Sequence, residues 1–399
     1  MKKKIFFAFV IIFLAFTLRI YAAITLPTDY DEPVYYSAAR FYAKAIQHNH
    51  PERIPSEEYN YEHPTLAKLT YGAVLSILPD DGFISGDVWQ KFMFQEPIDQ
   101  TEDPLRLFVL RLVAVIFGTL AVALLVLVSP VAALALALDT IAIKYTSVIY
   151  LEALPIFLSL ASVVLINEGT KWMRFKENIK LKPHWKEILL ILLSAICLGA
   201  AAACKYQYGI VGIAIMIFSI AWIIGPQPKE VKRYGMLAGF SVIALAAFVL
   251  ADPYLYSNPV EKLTHSLAYS LDYKNGETVR DAGYPFYQPL VWLSRPVVAF
   301  VDREVQPMPT RGNEFLFLFD TLIFVLAIIG LPKLFKDQPL YFSWLISGLL
   351  FLLIWNTKWP QYTMLIIVPL CLSASQGINL IVNLTKSLIS KTIKKPARQ

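Results

Sequence analysis

The segment IFFAFVIIFLAFTLRIYAAITLPTDYDEP, residues 5–33, joins an apolar run directly to a pair of acids, Asp31 and Glu32. The run has the length of about twenty apolar residues that a helix needs to cross a bilayer. Carboxylates are costly to bury without partners, so we expect the pair to face water or a substrate cavity at the membrane boundary. The alternative is a solvated loop that merely follows a membrane anchor.

The rest of the chain has the composition of a membrane protein. Of its 399 residues, 56% are hydrophobic and only 17% are charged, which is far from the balance of soluble domains. Because the apolar residues fall in long runs, we predict an all-α polytopic membrane protein. The 3 cysteines are scattered among these runs, so they predict neither a disulfide framework nor a metal site.

Runs of spanning length predict about ten transmembrane helices. They lie near residues 5–25, 107–128, 130–147, 151–167, 188–204, 207–225, 235–252, 314–332, 340–355 and 361–383. Lys and Arg cluster in alternate loops and at both ends, which predicts that both termini are cytoplasmic in a multi-pass protein of a prokaryotic plasma membrane. The net charge of +6 then reflects topology and contact with the lipid bilayer, and no nucleic-acid partner is expected.

Two long segments, 26–106 and 253–313, are predicted to be extracytoplasmic loops of one integral membrane domain that covers residues 1–399. Both are rich in aromatic residues and proline, unlike flexible linkers. Extracytoplasmic juxtamembrane helices are expected in the first of these loops. There the stretch VYYSAARFYAKAI, residues 34–46, has apolar residues at helical spacing and predicts such a helix on the membrane surface. The aromatic residues of the second loop are expected either to anchor the interface or to line a sugar or lipid-chain site.

Four motifs follow the acid pair: EHPTLAK (62–68), LRLVAVIFGTLAV (110–122), CKYQYGI (204–210) and NTKWPQYTMLIIVPLCLSAS (356–375). In this order they resemble the protein O-mannosyltransferase and aminoarabinose-transferase branch of the GT-C glycosyltransferases. The first motif resembles the HPPLxK pattern of that family, with Thr65 where a second proline is usual. The resemblance is specific only over the first ~120 residues and rests on short motifs.

This resemblance implies a GT-C fold and a definite reaction. The enzyme would transfer a monosaccharide from a polyprenyl-phosphate or dolichyl-phosphate carrier to an acceptor hydroxyl of a lipid, glycan or protein, outside the cytoplasm and with inversion. Asp31 would be the catalytic base, because the reaction needs a group that takes the proton of the hydroxyl. A second carboxylate beside it raises its pKa toward that task. Glu32 would orient the acceptor or hold Asp31 in place.

The departing polyprenyl-phosphate is an anion, so cations should meet it. Arg111 is the first candidate, because an arginine just inside the second span needs a partner and its guanidinium matches phosphate oxygens. Lys68 and Lys358 are further candidates, although a boundary lysine that reaches toward the headgroups explains Lys358 equally well. For Lys205 that boundary explanation is favoured.

Four more residues are expected to shape the acceptor side: His63, Glu62, Glu152 and His265. Glu152 opens the fourth predicted span, where the resemblance places an acid; the alternative is a helix N-terminal charge favoured by the macrodipole. In the aminoarabinose branch a Glu and a His of the outer loops can hold zinc. No ligand spacing in this sequence supports a metal, so no cofactor is expected.

A transporter or flippase for a lipid-linked or polar substrate is the main alternative function. Such proteins place ionisable residues near the bilayer midplane, where this sequence offers Asp139, Lys144 and Asp320. A partner subunit without catalysis is a third interpretation, and the acid at Asp31 argues against it. Convergence of Asp31, Glu32, Arg111 and Glu152 would favour the transferase.

Overall fold

A computed structural model describes residues 2–57, 60–79, 103–175, 185–224, 231–295, 298–301, 304–307 and 317–393. Six of its helices are long and apolar enough to cross a membrane. They are α1 (Lys2–Thr25), α4 (Pro104–Val128), α7 (Ala153–Phe175), α8 (Trp185–Cys204), α14 (Phe317–Asp337) and α16 (Met364–Ile393). Each coincides with a predicted span, and the chain is an integral membrane protein.

Three further predicted spans coincide with shorter apolar helices. These are α9 (Ile210–Ile224), α10 (Val231–Ala251) and α15 (Pro339–Ile354). The prediction for 130–147 was wrong in one respect, because this segment forms two short helices, α5 (Pro130–Leu138) and α6 (Thr140–Tyr145). Asp139 separates them: its carboxylate accepts from the Ala142 N–H at 2.8 Å and so begins a new helix, as capping carboxylates do.

Small residues bring the spanning helices close together. The tightest approach described is between α14 and α16, where a Cβ at Gly330 would overlap the Ser373 carbonyl oxygen. The Ser373 hydroxyl donates to the Ala327 carbonyl at 2.6 Å across the same contact. Small residues that let backbones approach are typical of helix packing in membranes. Similar close packing joins α7, α8 and α10, and also α1 and α4.

The first long loop contains the predicted juxtamembrane helices. They are α2 (Glu32–Gln47), a 3-10 turn (Pro51–Ser56) and α3 (Leu66–Leu75). Proline at the opening turn of α2 suits a helix start, and Tyr42 packs where Gly72 of α3 leaves room for it. The structure confirms these helices, whereas the predicted contact of α2 with the membrane surface stays a prediction. Residues 80–102 of this loop lie outside the described part.

The second long loop begins after α10. It contains a 3-10 turn (Pro253–Leu255) and three helices, α11 (Pro259–Tyr273), α12 (Glu277–Ala282) and α13 (Gln288–Ser294). One antiparallel hairpin follows, β1 (Val298–Val301) with β2 (Glu304–Pro307), in which Val298 pairs with Pro307. Within the described residues the fold is therefore all-α, as predicted, apart from this hairpin, which the sequence analysis did not anticipate.

Candidate active site

Glu32 and Arg111 form a bidentate ion pair that joins the first loop to α4. Arg111 Nε and Nη2 each donate to a different oxygen of Glu32 at 2.7 Å. The remaining Arg111 N–H groups donate to three backbone carbonyls after the end of α1 and within its last turn: Ala23, Leu26 and Pro27. Both side chains are buried. All five guanidinium donors are thus engaged. These bonds fix the segment between the end of α1 and Glu32, which contains Asp31.

The acceptor sites of Glu32 are equally engaged. Its Oε1 also accepts from the Ile149 N–H at 2.9 Å, and its Oε2 from the Asp29 N–H at 3.1 Å. With the two Arg111 bonds, this occupies the four lone-pair directions of a carboxylate. Glu32 therefore ties together the first loop, α4 and the segment before α7.

Asp29 is paired in a similar way. Its Oδ2 lies 2.7 Å from the Lys144 ammonium, and its Oδ1 accepts from the Tyr150 hydroxyl at 2.8 Å. The same hydroxyl lies 3.4 Å from the Asp31 backbone nitrogen, which donates to it. Asp29 and Lys144 are both buried. Sequence analysis did not select Asp29 as a site residue and placed Lys144 only among midspan charges. Their opposite charges were the one feature of the sequence that could have suggested this ion pair.

Asp31 differs from these acids because it has no ion pair among the described residues. Its side chain is partly exposed, and its hydrogen-bond partner in the described structure is the Gln361 amide, which donates to Oδ2 at 3.3 Å. Loss of surrounding water raises the pKa of the Asp31 carboxyl to about 7; the Asp29 carboxylate raises it as well and Lys205 opposes the shift. A carboxyl with such a pKa can accept a proton near neutral pH.

Glu152 and Lys205 form a buried ion pair close to Asp31. The Lys205 ammonium also lies 5.0 Å from the centroid of the Tyr362 ring, a cation–π geometry. Its charge lowers the pKa of Asp31, which places the three groups in one electrostatic neighbourhood. The sequence analysis assigned Lys205 to a boundary role, although its place in CKYQYGI was a signal. Burial instead of exposure to the headgroups corrects that assignment.

The EHPTLAK motif anchors α3 to the rest of the molecule. Lys68 is fully buried and pairs with Glu57 at 3.0 Å. Thr65, which stands where the family pattern has proline, donates both its N–H and its hydroxyl to Asp252 at the end of α10. Lys68 is thus paired with an acid of the same loop, and its charge also opposes the upward shift that burial produces in the pKa of Glu62.

Lys358 caps a helix. Its ammonium donates to backbone carbonyls in the last turn of α15, those of Leu352 at 2.7 Å and Leu353 at 3.2 Å, and also to that of Trp355. A cation at a helix C-terminus is favoured by the macrodipole and by the unpaired carbonyls there. Burial lowers the pKa of this lysine. The residues that follow it supply Gln361, the partner of Asp31.

Glu62, His63 and His265 lie on the loop side of the site. Glu62 Oε1 is 3.9 Å from His63 Nε2, and His265 Nδ1 is 3.2 Å from the Tyr254 hydroxyl. Burial raises the pKa of Glu62 and lowers that of His63, so His63 is neutral at pH 7. No group of three or more His, Cys, Asp or Glu side chains in the described residues could hold a metal; the absence of a cofactor stays a prediction.

Aromatic side chains form a row beside Asp31, which we call the aromatic row: Tyr61, Tyr269, Tyr273, Trp359, Tyr284 and Trp292. Successive ring centroids are 4.8 Å apart for Tyr61 and Tyr269, and 6.0 Å for Tyr269 and Tyr273. Trp359 hydrogen-bonds Tyr273 and lies 6.2 Å from Tyr284. The charge of Asp31 raises the pKa of Tyr273, so the row passes close to the acid.

The ionisable groups inside the bundle are engaged around the break between α5 and α6. Arg19 Nε donates to Thr146 Oγ1 at 2.7 Å. Asp139 caps α6, and Asp320 accepts from the Thr140 N–H at 2.9 Å. All are buried. These groups support an interrupted helix, which is a structural use of intramembrane charge.

Gly118 explains part of the LRLVAVIFGTLAV motif. A Cβ at this position would come 2.5 Å from the Thr146 Cβ and 2.9 Å from Arg19 Nε, closer than real Cβ atoms approach other groups. The glycine therefore leaves the space in which Arg19 reaches Thr146. Seven residues earlier, Arg111 holds Glu32, so one face of α4 supports both buried arginines.

Of the predicted residues, the structure brings Asp31, Glu32, Arg111 and Glu152 to the same end of the bundle. Lys68, Lys358, Glu62, His63 and His265 surround that end through separate contacts. The site also contains residues that the sequence analysis did not select: Asp29, Lys144, Tyr150, Lys205, Gln361 and Tyr362.

Comparison with known proteins shows a likeness to solved structures but none to a family model. The sequence matches no family model and no curated protein. Its fold is similar to the crystal structure of the Archaeoglobus fulgidus oligosaccharyltransferase in the apo form, with a TM-score of 0.56 and 11% sequence identity. The match covers 96% of this chain and 52% of the archaeal protein, so this chain spans about half of that protein's length. The likeness confirms the predicted GT-C fold, and at this identity it concerns the fold alone.

Proposed function

We propose that this protein is a membrane glycosyltransferase that moves a monosaccharide from a polyprenyl-phosphate carrier to an acceptor hydroxyl, with inversion and with Asp31 as the general base. One observation carries the proposal. Asp31 is a partly exposed residue whose carboxyl has a pKa of about 7, and the neighbouring acids Asp29 and Glu152 are already paired with cations. Perturbed groups of this kind cluster at functional sites. The archaeal structural neighbour, which is an oligosaccharyltransferase, agrees with this class of reaction.

In the proposed reaction, ionised Asp31 accepts the proton of the acceptor hydroxyl while that oxygen attacks the anomeric carbon of the sugar. The bond between the anomeric carbon and the phosphate oxygen breaks, and its electron pair leaves with the polyprenyl-phosphate. Attack on the face opposite the leaving group inverts the anomeric configuration. Gln361, which donates to Asp31 Oδ2, would hold the carboxylate in the ionised form that receives the proton.

The developing phosphate charge needs a cation. Arg111, Lys68 and Lys358 were the candidates from sequence, yet Arg111 is saturated by Glu32 and backbone carbonyls, and Lys358 caps α15. Lys205 already acts electrostatically on Asp31. We therefore assign the phosphate contact to Lys205, with Glu152 as its partner in the free protein, and give Arg111 a positioning role. Lys68 would position the loop.

The aromatic row would accept the apolar faces of a sugar ring or an isoprenoid chain, since tyrosine and tryptophan combine a broad apolar surface with a polar group. The acceptor would be a lipid, a glycan or a protein hydroxyl. Glu62, His63 and His265 adjoin the row and would contact this substrate.

The experiment that tests the function supplies purified protein in lipid with a panel of polyprenyl-phosphate sugars and measures released polyprenyl-phosphate. Wild-type protein should release carrier from at least one donor, and Asp31→Asn should release it about 10²–10⁴-fold more slowly. A flippase would move the intact donor between leaflets without releasing carrier, so a leaflet-specific probe on the same liposomes separates the two. Movement without release would refute the transferase.

A further inference from the structure

Helix α11 of the second loop has an apolar face that no described part of the protein covers. Val260 is 75% exposed, Leu267 58% and Leu271 38%. These positions are separated by seven and four residues, so they form one stripe along the helix. Glu261 and Asp272 are also exposed but project beside the stripe, at positions about 100° further round. The exposed half of α11 is thus divided into an apolar and an acidic strip.

The opposite face of α11 belongs to the protein. Ser266 is buried, and Tyr269 and Tyr273 belong to the aromatic row. Because this face is already occupied, the apolar stripe points away from the bundle. Its three aliphatic side chains would meet water unless something else covers them.

Contacts fix the level of α11 relative to the spanning helices. The Tyr206 hydroxyl donates to Ser266 Oγ at 3.2 Å, and Tyr206 follows directly after the end of α8. The Lys262 ammonium lies 4.8 Å from the ring of Tyr254, just after the end of α10. Since spanning helices end near the headgroups, α11 runs at the depth of the membrane–water interface.

The stripe also lies close in the chain to an apolar surface at the end of a spanning helix. Leu250 near the end of α10 is exposed, and so is Tyr256, whose hydroxyl donates to the Leu250 carbonyl at 2.6 Å. Val260 of α11 follows four residues later in the chain, after the exposed polar residues Ser257 and Asn258. Exposed apolar side chains therefore lie on both sides of this short polar segment, and the lipid that surrounds the end of α10 is the apolar phase nearest to those of α11.

From the apolar stripe, its depth and its proximity to the exposed end of α10, we infer that α11 is an interfacial helix that inserts Val260, Leu267 and Leu271 into the lipid of the adjoining leaflet. The occupant of this face is the lipid surface itself. The neighbouring strip is acidic, so insertion depends on apolar burial and needs no anionic headgroups. The inference goes beyond the proposed function, since it concerns how the membrane holds the helix that carries the tyrosines of the site.

Fluorescence quenching tests this inference without any transfer assay. Leu267→Cys and Leu271→Cys, each labelled with bimane, are placed in phosphatidylcholine nanodiscs that contain lipid with a nitroxide on its acyl chain. Glu261→Cys and Asp272→Cys are matched controls on the same helix. Cys197, Cys204 and Cys371 are first replaced by alanine, and each variant must remain monodisperse before it is labelled.

Labels at 267 and 271 should lose emission to the nitroxide lipid and resist aqueous iodide, whereas labels at 261 and 272 should behave in the opposite way. Equal quenching at all four positions would overturn the inference. So would labels at 267 and 271 that resist both quenchers, since a protein partner or a second copy of the chain would then cover the stripe. Either result would leave the transferase proposal unaffected.

Discussion

At the scale of single residues, Asp31 and Glu32 are neighbours in sequence with opposite environments. Glu32 is buried and its oxygens accept from Arg111, Ile149 and Asp29. Asp31 is partly exposed and receives one side-chain hydrogen bond, from Gln361. A carboxylate whose lone pairs are all occupied cannot accept a further proton at neutral pH without losing those bonds. The two acids therefore differ in whether their carboxylate can accept the proton of a substrate.

Asp31→Asn keeps the size of the side chain and removes its ability to act as a base. We expect transfer to fall by about 10²–10⁴-fold, the usual contribution of a positioned general base. Initial rates of carrier release with a fixed donor measure this. Asp272→Asn, an exposed acid on α11, is the matched control and should retain wild-type rates. Near-normal transfer by Asp31→Asn would exclude Asp31 as the base.

The pKa of Asp31 predicts a pH dependence. Transfer should rise by about tenfold per pH unit below about pH 7 and level off above it, because only the ionised carboxylate accepts the proton. The stability effect has the opposite sign. The folded pKa lies above the ordinary value of 3.8, so ionisation of Asp31 opposes folding increasingly from about pH 4 to about pH 8. The Tm of Asp31→Asn relative to wild type should therefore increase over that range; a constant difference would contradict the raised pKa.

Arg111→Ala should act through folding. It leaves Glu32 buried without its counter-ion, and breaking such a pair typically costs about 3–5 kcal/mol. We expect a lower apparent Tm in detergent for Arg111→Ala, and a similar loss for Glu32→Leu. The double variant should lose less than the two single losses added together. If Arg111→Ala kept its Tm and only raised the KM for donor, Arg111 would return to the phosphate site.

At the scale of elements, short interruptions and close contacts set the positions of the site residues. Asp139 ends α5 and begins α6, which turns the chain so that Lys144 meets Asp29. Lys358 closes α15 and precedes the turn that carries Gln361. Loop elements thus carry Asp29, Asp31 and Gln361, whereas Arg111 projects from α4, Lys144 from the short helix α6, and Lys205 follows the last residue of α8.

The contact between α14 and α16 provides a test at this scale. Gly330→Ala would place a Cβ against the Ser373 carbonyl oxygen, and overpacking of this kind costs about 1–3 kcal/mol. We expect a lower apparent Tm. Gly239→Ala in α10 is the matched control, because no heavy atom lies within 4 Å of its Cβ position and alanine favours a helix. Equal Tm values for the two variants would contradict the close approach.

At the scale of the whole molecule, the acids and the aromatic row gather at one end of a bundle of apolar helices. Elements distant in sequence meet there: Glu152 with Lys205, Thr65 with Asp252, and Asp31 with Gln361. The fold similar to the archaeal oligosaccharyltransferase spans 96% of the chain. Because the site is built from several distant elements, the topology of the whole chain determines which side of the membrane the site faces.

Cysteine accessibility can determine that side. Basic residues in alternate loops predict that Ser85 lies outside the cytoplasm and Asn178 inside. In right-side-out vesicles an impermeant maleimide should label Ser85→Cys, and it should label Asn178→Cys only after permeabilisation. Labelling of both from the same side would refute the predicted orientation of the loops.

The sequence by itself determined that apolar runs of spanning length become membrane helices, because a bilayer admits few other backbone structures. It also determined the juxtamembrane helices and the acid pair at the membrane boundary, since proline, helical spacing and the end of an apolar run are local features. The two-stranded hairpin and the interruption at Asp139 were not anticipated. The interruption was missed because the residues around Asp139 are apolar and resemble one continuous span, so its role as a helix cap was not recognised.

Only the tertiary structure decided which acid stays accessible and which cation accompanies it. Glu32 and Arg111 are 79 residues apart, Glu152 and Lys205 are 53 apart, and Asp31 and Gln361 are 330 apart. A charge on a sequence does not reveal its partner, because ion pairs form through space between residues that folding brings together. Burial and pairing then set the pKa of each group. For this reason Arg111 looked like a phosphate ligand from sequence and Lys205 like a boundary lysine, whereas in the folded protein Glu32 and backbone carbonyls occupy Arg111, and Lys205 is buried against Glu152.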